Sequence, residues 1–255
     1  MKRFSIFLIL SVIFLTTSYA NETSEEARQL FLEANAAFDS GEFQHAEVIY
    51  SSLCQNGWQS WELYYNLANT YYRLDYMAQA ILYYERALRL APNKKIIKDN
   101  LALARSKTQD KIDELPRLFL LEWVDAIVNT LTPKGWRSLI IIFMVLMSSA
   151  LCVFFITKDY RYRKWSFIIG SFILFFLIIS AVNATISVRN VTDKSKAIVV
   201  QPLLVVKGAP DAKSVDKFVL HEGTKLTITD QQDQWWQVEI ADGKSGWITG
   251  GAEII

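Results

Sequence analysis

The chain holds 255 residues, with 27 basic and 26 acidic side chains, a formal net charge of +1 and 51% hydrophobic residues. Bulk charge this even names no partner, neither nucleic acid nor an acidic or basic surface. The two cysteines, Cys54 and Cys152, fall in separate segments, one of them apolar, so they supply neither a disulfide framework nor a metal-ligand spacing.

In chain order, Met1–Ala20 opens with Lys2 and Arg3 and continues through an apolar run from Phe4 to Leu15. Ser18 and Ala20 stand at the spacing of a small-residue cleavage site, so residues 1–20 read as an export signal and Asn21 as the mature start. An uncleaved anchor would give the same sidedness.

Residues 21–110 read as a helical repeat array. Ala34–Leu53 and Ala68–Ala87 align at an offset of 34 residues. Tyr64, Leu67, Ala68, Tyr71, Ala80, Tyr84, Ala87 and Pro92 carry the pattern, and the first copy keeps Ala34, Gly41, Phe43, Ala46 and Tyr50. This spacing resembles the tetratricopeptide repeat. Small residues at Ala34, Ala46, Ala68 and Ala80 allow two antiparallel helices to approach, and Tyr50, Tyr71 and Tyr84 fill the space between repeats. A further helix near Lys95–Lys107 would close the last apolar face.

Such arrays hold a peptide or protein in the concave groove formed by the first helix of each repeat. The expected groove residues are Phe31, Asn35, Phe38, Tyr65, Asn69, Tyr72 and Arg73, with Arg28, Asp39 and Glu62 beside them. Phe31 stands where carboxylate-clamping versions carry a lysine, which points to an aromatic-lined groove. The alternative is that these aromatics only pack the array internally.

Residues 111–137 form an amphipathic juxtamembrane segment, with Glu122, Asp125 and Asn129 on one helical face. Its polar stripe is acidic, so it is expected at the membrane surface or against a partner in the membrane rather than on anionic lipid. Residues 138–157 and 165–188 contain no charged residue and are each long enough to cross a bilayer as a helix. Between them, residues 158–164 carry Lys158, Arg161, Arg163 and Lys164 against Asp159, which places this connection in the cytoplasm. Interleaved basic and aromatic residues also suit single-stranded nucleic acid, but a connection pinned at both ends to lipid offers no extended groove.

Residues 197–255 change to short β-branched runs punctuated by glycine and aspartate. Val205–Pro210, Leu220–Thr224, Trp235–Val238 and Asp242–Ile248 resemble the bacterial SH3-like domain, a small all-β barrel. The resemblance implies binding of cell-wall peptides or protein segments. Trp235, Trp236 and Trp247 are the candidate surface, although strand alternation turns one of the adjacent pair inward.

The expected fold class is therefore a multidomain membrane protein: an all-α array, a transmembrane hairpin and a small all-β unit. His45 and His221 lie on different modules, and no phosphate-cradling loop, HExxH or paired-carboxylate motif occurs. The chain reads as non-enzymatic, without cofactor or metal. The order of modules resembles the BatE-type proteins of the Bacteroides aerotolerance operon. That resemblance implies a role in tolerance of oxygen or oxidative stress, with von Willebrand factor A membrane proteins and a MoxR-type ATPase as partners. It also implies a bacterial inner membrane with both soluble modules periplasmic. An adaptor that binds cell-wall peptide and recruits an envelope enzyme is the alternative.

Overall fold

The computed structural model describes residues 25–112 and 119–255. The expected signal segment lies outside the described residues, as do residues 21–24 of the array and 113–118 of the juxtamembrane segment.

Five helices build the array: α1 (residues 25–39), α2 (Phe43–Gln55), α3 (Trp61–Arg73), α4 (Met77–Leu90) and α5 (Lys95–Ser106). Ala34, Ala46, Ala68 and Ala80 are each fully buried, so helix backbones approach as the spacing predicts. The turns repeat as well. Gly41 (φ 84°) follows α1 while Glu42 N–H donates to the Ala37 carbonyl at 2.9 Å, and Asp75 (φ 64°) follows α3 while Tyr76 N–H donates to the Tyr71 carbonyl at 2.9 Å. Glycine occupies the left-handed position without strain in the first turn, and aspartate tolerates it in the second. Ser60 starts α3 by accepting the Leu63 N–H at 3.1 Å.

A short helix, α6 (Phe119–Val128), precedes the hairpin of α7 (Pro133–Ile156) and α8 (Tyr160–Thr192), which pack on each other. Both hairpin helices are long and apolar enough to cross a membrane. The connection is shorter than the sequence suggests. Asp159 accepts the Arg161 N–H at 2.8 Å and caps α8, so Arg161, Arg163 and Lys164 sit on its first turns, leaving Thr157–Asp159 as the link. At the other end α8 runs on to Thr192, past the expected limit at Val188.

The C-terminal unit is one antiparallel sheet of seven strands: β1 (Lys196–Val199), β2 (Leu203–Lys207), β3 (Asp216–His221), β4 (Lys225–Gln232), β5 (Trp235–Ile240), β6 (Ser245–Ile248) and β7 (Ala252–Ile254). Their order is β3-β2-β6-β5-β4-β1-β7. Ala197 of β1 and Leu220 of β3 share one core cluster with Val206, Val238 and Ile248, so the sheet wraps round a common interior. The hydrogen-bond ladder stays open between β3 and β7. Gly246 is required where β6 crosses β2, because a Cβ there would stand 2.5 Å from Val206 Cγ1 and 2.7 Å from the Lys207 carbonyl.

Candidate functional site

The groove helices are fixed by a polar network that occurs twice at the repeat offset. Asn35 Oδ1 accepts from the Tyr50 hydroxyl at 2.5 Å and from Asn66 Nδ2 at 2.8 Å. Asn69 Oδ1 accepts from the Tyr84 hydroxyl at 2.6 Å and from Asn100 Nδ2 at 3.1 Å. Each asparagine ties its own helix to the second helix of its repeat and to the first helix of the next. Burial is the main cause that pushes the Tyr50 hydroxyl up to about 12 and the Tyr84 hydroxyl upward as well, so both stay protonated donors. The networks differ at one point. Asn100 Nδ2 also donates to the Tyr65 hydroxyl at 2.9 Å, whereas the equivalent position in the first repeat is Phe31.

All seven expected groove residues thus make internal contacts. Asn35 and Asn69 are network centres, Phe31 packs on Tyr50, and Tyr65 packs on Tyr84. Arg73 lies over the Phe43 ring at 4.3 Å, and Phe43 meets Phe38 edge-on, which draws Arg73 toward the α1–α2 turn. Lys107 Nζ sits 4.1 Å over the Tyr72 ring. Phe31, Phe38, Tyr65 and Tyr72 nevertheless remain half-buried, leaving ring area available for contact. A hollow of about 230 Å³ opens beside Phe31, lined also by Ala27, Trp58 and Leu63.

The three tryptophans of the sheet do not form one surface. Trp236 pairs with Ile248 and packs against the sheet core, while Trp235 and Trp247 project to the opposite face by strand alternation. Trp247 is only 9% exposed, so this member of the candidate surface is largely covered. Trp235 is half-buried.

The junction between array and sheet, which the sequence analysis does not anticipate, centres on α4. Ile198 and Ile255 are buried in the same cluster as Ile81, Tyr84 and Ile97 of the array. Glu85, buried on α4, accepts from Lys225 Nζ at 2.7 Å and also pairs with Arg105. Burial pushes the Lys225 ammonium below its ordinary value, and the Glu85 charge opposes that shift. Arg86 donates to the Ile254 carbonyl at 2.7 Å, and Arg89 bonds the carbonyls of Ile255 and of Val191 on α8. α4 therefore joins array, sheet and hairpin.

A second clasp follows α5. Asp110 accepts the His221 backbone N–H at 2.8 Å and the Thr224 hydroxyl at 2.7 Å, and its other oxygen meets His221 Nδ1 at 2.7 Å. Burial alone would raise the Asp110 pKa, but these hydrogen bonds outweigh it and hold the carboxyl below its ordinary value of 3.8. His221, which reads in sequence as a solvated loop residue, is instead a junction contact. Gly223 (φ 83°) completes the fit, because a Cβ there would lie 2.6 Å from Thr108 Cγ2 and 2.9 Å from Ile81 Cδ1. The one available hint was Glu85 itself, a charge on the buried face that Ile81, Tyr84 and Leu88 mark out.

Reactive chemistry is sparse among the described residues. Burial pushes the Cys54 thiol up to about 11, which suppresses the thiolate needed for redox or nucleophilic work. No group of three or more histidine, cysteine, aspartate or glutamate side chains is placed to hold a metal ion among the described residues.

A family model described as the tetratricopeptide repeat matches residues 61–94, which span α3, α4 and the turn that leads to α5. No curated protein matches the chain. The matched segment carries one full copy of the Asn69–Tyr84 pair, and a repeat of this class is a protein-interaction module.

Proposed function

We propose that this protein is a non-enzymatic, membrane-anchored scaffold whose array holds a segment of another protein in its concave groove. One observation carries this reading. The sheet binds the array through α4 and Asp110, which leaves the half-buried rings of Phe31, Phe38, Tyr65 and Tyr72 on the other helices open to a partner. Aromatic rings anchored by internal hydrogen bonds offer large contact area at low entropic cost.

In this reading both modules stand in the periplasm of a bacterial inner membrane. Their direct contact requires them to share one side, as a two-span hairpin demands, and the cations at Lys158, Arg161, Arg163 and Lys164 favour the cytoplasm for its tip. The partners are envelope proteins, with von Willebrand factor A membrane proteins and a MoxR-type ATPase assembly supported by the resemblance in module order. A role in aerotolerance or oxidative-stress resistance would then be exercised through those partners, since Cys54 is protonated and partly covered.

The test is crosslinking in intact membranes with a Phe31→Ala, Tyr65→Ala, Tyr72→Ala variant whose fold is verified by circular dichroism. Loss of von Willebrand factor A-type partners is the expected result. Unchanged capture would move the interface to the hairpin or the sheet. Retention of the chain on isolated sacculi, lost on Trp235→Ala, would favour the cell-wall adaptor instead.

A further inference from the structure

α6 carries more exposed apolar surface than a ten-residue helix can hold in water. Trp123 is 69% exposed, Phe119 65% and Ile127 53%, and these three recur at a spacing of four along one face. Leu121 and Val124 are exposed as well, away from this face. A helix this short is marginal in isolation and needs a surface to cover its apolar side.

The array does not supply that surface. Val128, at the C-terminal end, is fully buried, and its carbonyl accepts from Trp136 Nε1 at 2.9 Å. Asn93, between α4 and α5, reaches the carbonyls of Asn129 and Thr130, the latter at 3.1 Å. α6 also packs against α8. These ties pin the end of α6 to both the array and the hairpin while Phe119, Trp123 and Ile127 stand exposed.

We propose that α6 is an interfacial foot, with Phe119, Trp123 and Ile127 seated in the headgroup–acyl boundary of the bilayer that α7 and α8 cross. The proposal rests on the transmembrane reading of the hairpin. Lipid is the occupant because only Asn129–Thr132 separate α6 from α7 and α6 packs against α8, which holds its exposed rings beside the bilayer that the hairpin crosses. The helix contains no lysine or arginine and carries Glu122 and Asp125, so its affinity comes from apolar burial and needs no anionic lipid. With Arg89 bound to Val191 and Asn93 to the end of α6, the foot sets the array, and hence its groove, at a fixed tilt over the membrane.

The experiment uses the full chain in phosphatidylcholine nanodiscs. On a Cys54→Ala, Cys152→Ala background, single cysteines replace Trp123, Ile127, Met144 or Val48 in turn and carry an environment-sensitive fluorophore. Met144 reports the hairpin, and Val48 reports the exposed array surface. The foot predicts blue-shifted emission at positions 123 and 127, quenched more by a nitroxide near the lipid headgroup than by one at the chain end. The reverse order is expected at 144, and neither lipid should act at 48. A phosphatidylglycerol fraction should leave these signals unchanged. Water-like emission at 123 and 127 with lipid quenching retained at 144 would overturn the foot and spare the hairpin. Blue-shifted but unquenched probes would also overturn it, since protein would then cover α6. Absence of lipid quenching at 144 would remove the hairpin reading and the foot together.

Discussion

The interior of the array and its junction with the sheet are both held by polar groups at least partly buried, yet they are built on opposite plans. Inside the array the groups are neutral and recur, with Asn35, Tyr50 and Asn66 matched by Asn69, Tyr84 and Asn100 one repeat later. At the junction they centre on carboxylates and occur once, with Glu85 meeting Lys225 and Asp110 meeting His221 across more than a hundred residues of chain. A repeat encodes its own stacking, whereas docking a second module depends on single residues that no period announces.

The largest effect should come from removing a network tyrosine. Tyr84→Ala removes a fully buried ring and is expected to cost about 3–5 kcal/mol, with Tyr50→Ala close behind. Hydrogen exchange over α1–α5 would measure both, and a large disparity between them would break the equivalence of the two repeats.

Glu85→Gln should act on the junction and leave the array folded. It strands Lys225 and Arg105 beside a neutral amide, at an expected cost of about 3 kcal/mol, toward the low end because Arg105 stays partly in solvent. Exchange in β1 and β7 would rise while α1–α3 stayed protected. Equal loss in both regions would show that array and sheet fold as one unit.

Smaller effects sharpen the contrast. Tyr50→Phe and Tyr84→Phe each delete one donor to an asparagine and should cost about 1 kcal/mol. Acid should loosen the Asp110 clasp of the junction. The folded pKa of Asp110 is depressed, so its contribution is complete above the ordinary value of 3.8 and is lost as pH falls through the lower folded value. An Asp110→Asn variant should lose that acid sensitivity, as read from exchange at His221 and Thr224.

The array was legible because its alanines and tyrosines repeat at a fixed offset and a buried small residue has one geometric use. The hairpin was legible because two charge-free runs flank a basic one. The turn at Asp159 was not, since an N-cap a few residues into a basic stretch looks like loop until its hydrogen bond is seen. Groove residues were half legible. The period put Asn35 and Asn69 on the first helices, but whether an amide faces a partner or a neighbouring helix depends on Asn66 and Asn100, whose roles only packing reveals. Trp235 and Trp236 were divided correctly in kind by alternation. The cover over Trp247 and the whole α4 junction arise from tertiary contact between distant segments, for which one sequence holds no pattern.

The most direct test of the scaffold is a photo-crosslinking amino acid placed singly at Tyr72 in the groove and at Val48 on the exposed face of α2, in intact membranes. The account predicts a discrete protein adduct from position 72 that is absent from position 48. An adduct from position 48 with none from 72 would contradict it.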